Sequence, residues 1–336
     1  MRRTVLSVAL AAVVVAVLAG AVSAFLASGS SEGMHAAVAT PALPTAEIVF
    51  TRQLKKPDRS DLYVMAADGS HLRLLVRDAA EAAASFDGRR IAFARGGAIW
   101  IVQRNGARPR LLTQPRALPT QQGDRPVVGI SDPAWSPGGR TLYFVGRDRY
   151  HEVFSTFSIR SDGTHLTRLA QGGGGSYGFS LGHLSPSPDG LVIAYSVLFD
   201  AMHYAEGHIV AVFPTGRPAQ LPFAFPGHDE DVSSEPTWSP DGRQMAYTFE
   251  DIDLWGGADE GPDPSGLYVS RSDGSRPRLI VGNAWFGQRG DPAWSPDGEW
   301  IAFWGRRGIA LVRPDGTAPR ALGREGYDPA WLPAIP

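Results

Sequence analysis

One unit recurs along this chain and restricts what it can fold into. Residues 82–93 (AAASFDGRRIAF), 133–144 (PAWSPGGRTLYF), 184–195 (LSPSPDGLVIAY), 236–247 (PTWSPDGRQMAY) and 292–303 (PAWSPDGEWIAF) are versions of one segment. Their turn glycines, Gly88, Gly139, Gly190, Gly242 and Gly298, are 51, 51, 52 and 56 residues apart. A second turn, mostly DG, falls between them at Gly69, Gly106, Gly163, Gly216, Gly274 and Gly316. Each unit therefore reads as strand, tight turn, strand, variable connection, strand, DG-type turn, strand. Such a four-stranded meander cannot bury both its faces alone, and repetition at a fixed period lets each copy cover the next.

The residue types fit that reading. Proline presets φ in the turn, aspartate bonds nearby backbone, and glycine takes the positive φ that returns the chain into an antiparallel strand. Gly (39) and Pro (27) are abundant, and after Thr45 no apolar stripe has helical spacing, so the chain is expected to be all-β. Trp135, Trp238, Trp294 and Trp331 fall where one flat sheet would press on its neighbour. Radial packing of such sheets makes a β-propeller.

The chain ends with YDPAWLP, the start of another copy, and its first unit lacks the PAWSPDG segment. The last strand is thus expected to complete the first blade, closing a six-bladed propeller of four-stranded antiparallel blades over residues 46–336. The P-x-W-S-P-D-G turn, I-A-F strand, L-Y-V strand and D-G turn before R-x-L resemble the TolB family of propellers, a WD-like repeat. The resemblance covers nearly all of residues 46–333 and implies fold. TolB proteins carry an N-terminal α/β domain in place of the linker found here, so their envelope role is not implied. Propeller-bearing serine peptidases are similar in the propeller, but no room remains here for their hydrolase domain.

Arg2 and Arg3 precede an almost unbroken apolar run over residues 5–27, and residues 28–45 form a Ser/Gly/Ala/Pro linker. Two readings stay open: a cleaved signal peptide, which the small residues 22–24 suit, or a membrane anchor, which the length of the run favours. Both put the folded part outside the cytoplasm, with membrane contact only through residues 4–27 if uncleaved. The chain has no cysteine, so disulfides, thiolate metal sites and thiol nucleophiles are excluded. Lys+Arg 32 against Asp+Glu 34 gives no global basic field, so no nucleic-acid partner is expected; the chain is expected to be a monomer.

Function has to come from the loops. The turns above are short, whereas the other connections, 52–61, 113–132, 146–153, 171–183, 198–207, 223–235, 249–266 and 283–291, are long and expected to form an irregular binding face. His151, His183, His203 and His228 fall there and His208 just after, with Trp255 and Trp285 as apolar anchors. The residue starting each innermost strand gives a sharper pattern: Asp328, Glu81, Asp132, His183, Glu235 and Asp291, five carboxylates and an imidazole at six equivalent places. As local caps they would bond amides where the strands begin. As a converging ring they would repel one another and call for a cation, Ca²⁺ or Mg²⁺ on oxygen alone, Mn²⁺ or Zn²⁺ if His183 joins Asp132, Glu235 and Asp291.

An acidic stretch, 249–266, and HDED at 228–231 suit a solvated loop, or a basic segment or cation. GFSLG (178–182) matches G-x-S-x-G, but a nucleophile elbow needs a buried strand before it and a helix after; a flexible loop is expected instead. The expected function is an extracytoplasmic scaffold binding a protein, peptide or glycan at its loop face and channel mouth, with no catalytic residue assigned. The alternative is a metal-dependent polysaccharide lyase or hydrolase at the same mouth.

Overall fold

The structure, a computed structural model, describes residues 42–54, 59–118, 126–148, 154–171, 178–201, 204–219, 231–251, 265–282, 285 and 290–335. The chain divides into two compact units, Met1–Pro41 and Ala42–Pro336. The apolar run and most of the linker fall in the first, outside the described residues. Among the described residues no helix is long and apolar enough to cross a membrane.

The described residues of the second unit are all-β apart from one 3-10 turn at Pro115–Ala117. Its strands in chain order are β1 (Glu47–Gln53), β2 (Ser60–Ala66), β3 (Arg73–Val76), β4 (Ala80–Ala84), β5 (Arg90–Arg95), β6 (Ala98–Gln103), β7 (Arg110–Thr113), β8 (Val127–Trp135), β9 (Thr141–Asp148), β10 (Phe154–Arg160), β11 (Thr167–Gln171) and β12 (Gly178–Pro186). There follow β13 (Ile193–Ala201), β14 (Tyr204–Val212), β15 (Pro218–Ala219), β16 (Asp231–Trp238), β17 (Gln244–Asp251), β18 (Gly266–Arg271), β19 (Arg278–Gly282), β20 (Ala293–Trp294), β21 (Ile301–Gly305), β22 (Gly308–Val312), β23 (Arg320–Ala321) and β24 (Tyr327–Leu332).

Four sheets have four strands each, β24-β1-β2-β3, β4-β5-β6-β7, β8-β9-β10-β11 and β20-β21-β22-β23. An eight-stranded sheet holds β12–β15 and β16–β19, two antiparallel sets joined by one parallel pairing, Gly207 with Val232. The C-terminal strand pairs antiparallel with β1, Trp331 opposite Ile48. That pairing was anticipated from the unfinished final copy of the repeat.

Each short turn is built as its residues dictate. In the SPDG-type turns the serine hydroxyl donates to the aspartate two residues on, Ser239 to Asp241 at 2.6 Å and Ser295 to Asp297 at 2.5 Å, and Gly242 and Gly298 close the turn at φ 70° and 73°. Between sheets lie buried aliphatic and aromatic layers. Val49, Leu62 and Val64 meet Ile91, Phe93 and Val102; Ile48, Phe50 and Met65 meet Ala302, Ile309 and Leu311. The tryptophans work at these boundaries. Their indole N–H groups donate to a carbonyl of the preceding repeat: Trp135 to Ala83 (3.1 Å), Trp238 to Ser185 (3.0 Å), Trp294 to Thr237 (3.2 Å) and Trp331 to Ala293 (2.9 Å). One side chain thus fills the layer and ties it with a directed bond.

Two expectations are corrected. Several connections read as irregular loops are strand: β13 runs to Ala201 and β14 starts at Tyr204, so 198–207 is mostly a paired hairpin, and GFSLG lies inside β12. Glycine-rich sequence hid a strand whose backbone pairs with β13 along its length. Second, five of the six ring residues do not start their strands. Glu81, Asp132, His183, Glu235 and Asp328 lie inside β4, β8, β12, β16 and β24.

Candidate functional site

The inner strands β4, β8, β12, β16 and β24, with residues 291–294, line one cavity of about 550 Å³. Glu81, Asp132, His183, Glu235, Asp291 and Asp328 all border it. Each has left-handed backbone, with φ of 55°, 51°, 53°, 56°, 43° and 49°. None is glycine, so each conformation costs about 1–2 kcal/mol unless its surroundings repay it. Pairing registers slip beside them, between Ala80 and Ala83, Ser131 and Ala134, Gly182 and Ser185, and Ser234 and Thr237. A bulge of this kind re-aims a side chain out of the strand pattern.

The carboxylates hold the next repeat. Glu81 Oε2 accepts the Asp132 amide at 2.8 Å, Asp132 Oδ1 the His183 amide at 3.3 Å, and Asp291 Oδ2 the Asp328 amide at 3.4 Å. Glu235 Oε2 accepts two, from Gly290 at 3.0 Å and Asp291 at 2.7 Å. The capping expected within each strand start is replaced by capping across sheets, because the left-handed residue turns its side chain toward the neighbour. Capping does not account for all six positions. The Glu235 amide donates to Ser196 Oγ (2.7 Å) instead of to His183, and the Glu81 amide to Thr51 Oγ1 (3.1 Å) instead of to Asp328. His183 and Asp328 are therefore not needed as caps.

These hydroxyls were missed in the sequence, although a signal existed. Thr51 and Ser196 occupy the same place in the repeat, directly after the I-A-F/Y-type run, where the other copies have Ala94, Val145, Thr248 and Trp304. That column alone does not single them out, because Thr248 also carries a hydroxyl there and bonds Ser234 instead.

Burial and like charge act together on the ring. Desolvation, then the Asp132 charge, raises Glu81 from its ordinary 4.5 to about 7; desolvation, then Asp291, raises Glu235 to about 7. Asp328 is raised well above the carboxylate range by burial first and by Asp291 and Glu81 next. Asp291 is 7% exposed, and its Oδ1 is buried without a hydrogen-bond partner. That oxygen is 3.8 Å from His183 Nδ1, and His183 Nε2 is 3.8 Å from Glu235 Oε1. His183, Glu235 and Asp291 can each offer a ligand atom within 4.8 Å of the others. Asp132 stands outside that group, its Oδ2 accepting from Ser131 Oγ at 2.8 Å.

Trp285 is 38% exposed and does not border the cavity. Trp255, His151, His203, His228 and most of the acidic stretches lie outside the described residues; His208 is exposed on β14. GFSLG continues as strand through Pro186, with neither turn nor helix after the serine, so it is no nucleophile elbow.

No family model matches the sequence, and no curated protein matches it. Solved structures do. A putative TolB from Agrobacterium tumefaciens is similar at 16% identity and TM-score 0.53, over 84% of this chain and 89% of that one. The likeness is one of fold. Hydrazine synthase from Kuenenia stuttgartiensis is similar at 14% identity and TM-score 0.60, over 86% of this chain and 46% of that one, so this chain spans about half its length. An oligogalacturonate lyase from Vibrio parahaemolyticus matches at 9% identity and TM-score 0.51, over 81% and 78%. The chain is thus an all-β protein of four-stranded antiparallel sheets whose neighbours include TolB-like and other β-propeller proteins.

Proposed function

We propose that the chain is an extracytoplasmic, closed six-bladed propeller that acts as a binding scaffold, holding a cationic group of a protein, peptide or glycan complex at its carboxylate-lined mouth. The pairing of β24 with β1 and the two antiparallel sets in the large sheet support the blade count and closure. The apolar run at 5–27 supports the location.

The observation that carries the binding reading is Asp291 Oδ1, a buried oxygen without a hydrogen-bond partner, in a ring whose Glu235 and Glu81 amides are held by Ser196 and Thr51. A buried carboxylate oxygen left unpaired costs free energy that a bound cation returns. His183, Glu235 and Asp291 would hold a divalent ion, and a hydroxyl-rich or peptide ligand could share it. The test is calorimetric titration of Ca²⁺, Mg²⁺ and Mn²⁺ into the chelator-treated protein and into Asp291→Asn. Saturable heat in the parent alone supports the site, and heats equal to dilution in both remove it.

A second reading, a metal-dependent polysaccharide lyase or hydrolase, is favoured by the imidazole in the cluster and by the likeness to an oligogalacturonate lyase. Release of unsaturated or reducing ends from acidic polysaccharide by the Mn²⁺-loaded protein, lost in His183→Ala, would move the assignment there.

A further inference from the structure

The end of the repeat array away from the carboxylate ring has the opposite chemistry. There the SPDG-type and DG-type turns lie side by side. Their aspartates spend Oδ1 on their own turns: Asp68 accepts the Ser70 amide at 2.8 Å, Asp162 the Thr164 amide at 2.8 Å and Asp273 the Ser275 amide at 2.9 Å. Many of the arginines are not so engaged. Arg89, Arg108, Arg140, Arg217, Arg276 and Arg320 are exposed, and among the described residues their guanidinium groups meet no hydrogen-bond or ion-pair partner. Arg108 and Arg276 stand on left-handed backbone, φ 55° each, at the repeat position where His71 and His165 have φ 54° and 55°. The whole chain carries slightly more acid than base, yet on this face arginine outnumbers aspartate plus glutamate.

The first described residues also lie at this end. Trp300, directly after the 295–299 turn, donates its indole N–H to the Ala42 carbonyl at 3.1 Å, and Leu43 packs against the cluster that contains Trp300 and Trp331. Residues 28–41 separate this point from the apolar run, a tether spanning at most about 50 Å when fully extended. A tether of that length, rooted here, keeps this end within reach of whatever surface the tether starts from.

We propose that this arginine-rich turn face docks on a membrane surface bearing anionic lipid headgroups, which leaves the carboxylate mouth turned away from the bilayer. Charge complementarity calls for an anionic partner, and the root of the tether selects lipid over a soluble polyanion. The proposal rests on the extracytoplasmic, membrane-anchored reading of the N-terminus. Failure of that reading would show separately, as release of the full chain by alkaline carbonate washing.

The docking test uses the unit Ala42–Pro336, which contains every described strand and the hydrophobic layers between them. It is co-sedimented with vesicles rich in phosphatidylglycerol and with vesicles of phosphatidylcholine alone, at low salt and at high salt. Binding to the anionic vesicles alone, weakened by salt, is expected. The variant Arg89→Glu/Arg108→Glu/Arg140→Glu/Arg276→Glu should lose at least about tenfold in affinity while keeping its melting temperature, and Asp132→Asn should bind lipid like the parent. Equal binding to both vesicle types, no binding to either, or full binding by the charge-reversed variant would each overturn the proposal. So would binding to heparin without binding to lipid, which would make the partner a soluble polyanion.

Discussion

Glu235 Oε2 accepts the Asp291 amide at 2.7 Å, so the carboxylate of one repeat is held by the backbone of the next. The same Asp291 presents a buried oxygen with no hydrogen-bond partner. One contact is mechanical and the other is an open valence, and they concern adjacent ring members. A substitution can therefore separate capping from binding if it is placed at the right member.

Asp132 reports on capping. Asparagine keeps an oxygen for the His183 amide, tolerates left-handed backbone and removes a charge that presses on Glu81, so Asp132→Asn should leave stability unchanged or raise it by up to about 1 kcal/mol. Asp132→Ala loses the acceptor and should cost roughly 1–2 kcal/mol in urea unfolding. Equal effects of the two variants would mean that the cap is not what holds this position.

Asp291 reports on binding. In chelator, Asp291→Asn removes a charge from a crowded ring and should raise stability by roughly 1 kcal/mol. With a divalent ion present the parent should gain and the variant should not. A variant that melts lower than the parent in chelator would show that the Asp291 carboxyl group is compensated within the protein.

Stability should fall as pH rises. Glu81 and Glu235 have ordinary values near 4.5 and are raised to about 7 in the folded protein, so between these limits the folded state binds more protons than the unfolded chain. Their contribution is complete below about pH 4.5 and is lost as the pH passes about 7. Melting of the metal-free protein from about pH 5 to about pH 8 should show a downward slope, shallower in Glu235→Gln and flattened by a bound cation. A slope unaffected by Glu235→Gln would assign the proton uptake elsewhere.

Trp331 joins the last strand to two sheets, pairing opposite Ile48 and donating to the Ala293 carbonyl. Trp331→Ala should cost about 3–5 kcal/mol, the usual loss for a large aromatic in a packed layer, and Trp331→Phe less. Ending the chain before Tyr327 should be worse than either, because it also strips β1 of a neighbour. A truncated protein melting within a few degrees of the parent would show that β24 is dispensable.

Much of the architecture was legible because repetition multiplies weak signals. A single SPDG turn suggests little, but five copies at a near-constant spacing define the meander, and the unfinished YDPAW at the end announces the β24–β1 pairing. The ring positions were found the same way. Their side-chain direction was not, since left-handed backbone at Glu81 or His183 leaves no mark in residue type. The strand at GFSLG was hidden for a related reason: its glycines suit a loop by local preference, and pairing with β13 overrides that preference.

From sequence alone come the repeat, the strand order within each unit, the tryptophan boundaries and the six ring positions, all carried by local residue patterns that recur. Tertiary structure alone decides that the carboxylates cap across sheets, that Thr51 and Ser196 accept the Glu81 and Glu235 amides, and that Asp291 keeps an unpaired oxygen. Hydrogen bonds between residues 30 to 56 positions apart depend on how the sheets stack, and burial on what surrounds a side chain in space. Neither is encoded in any one segment of the chain.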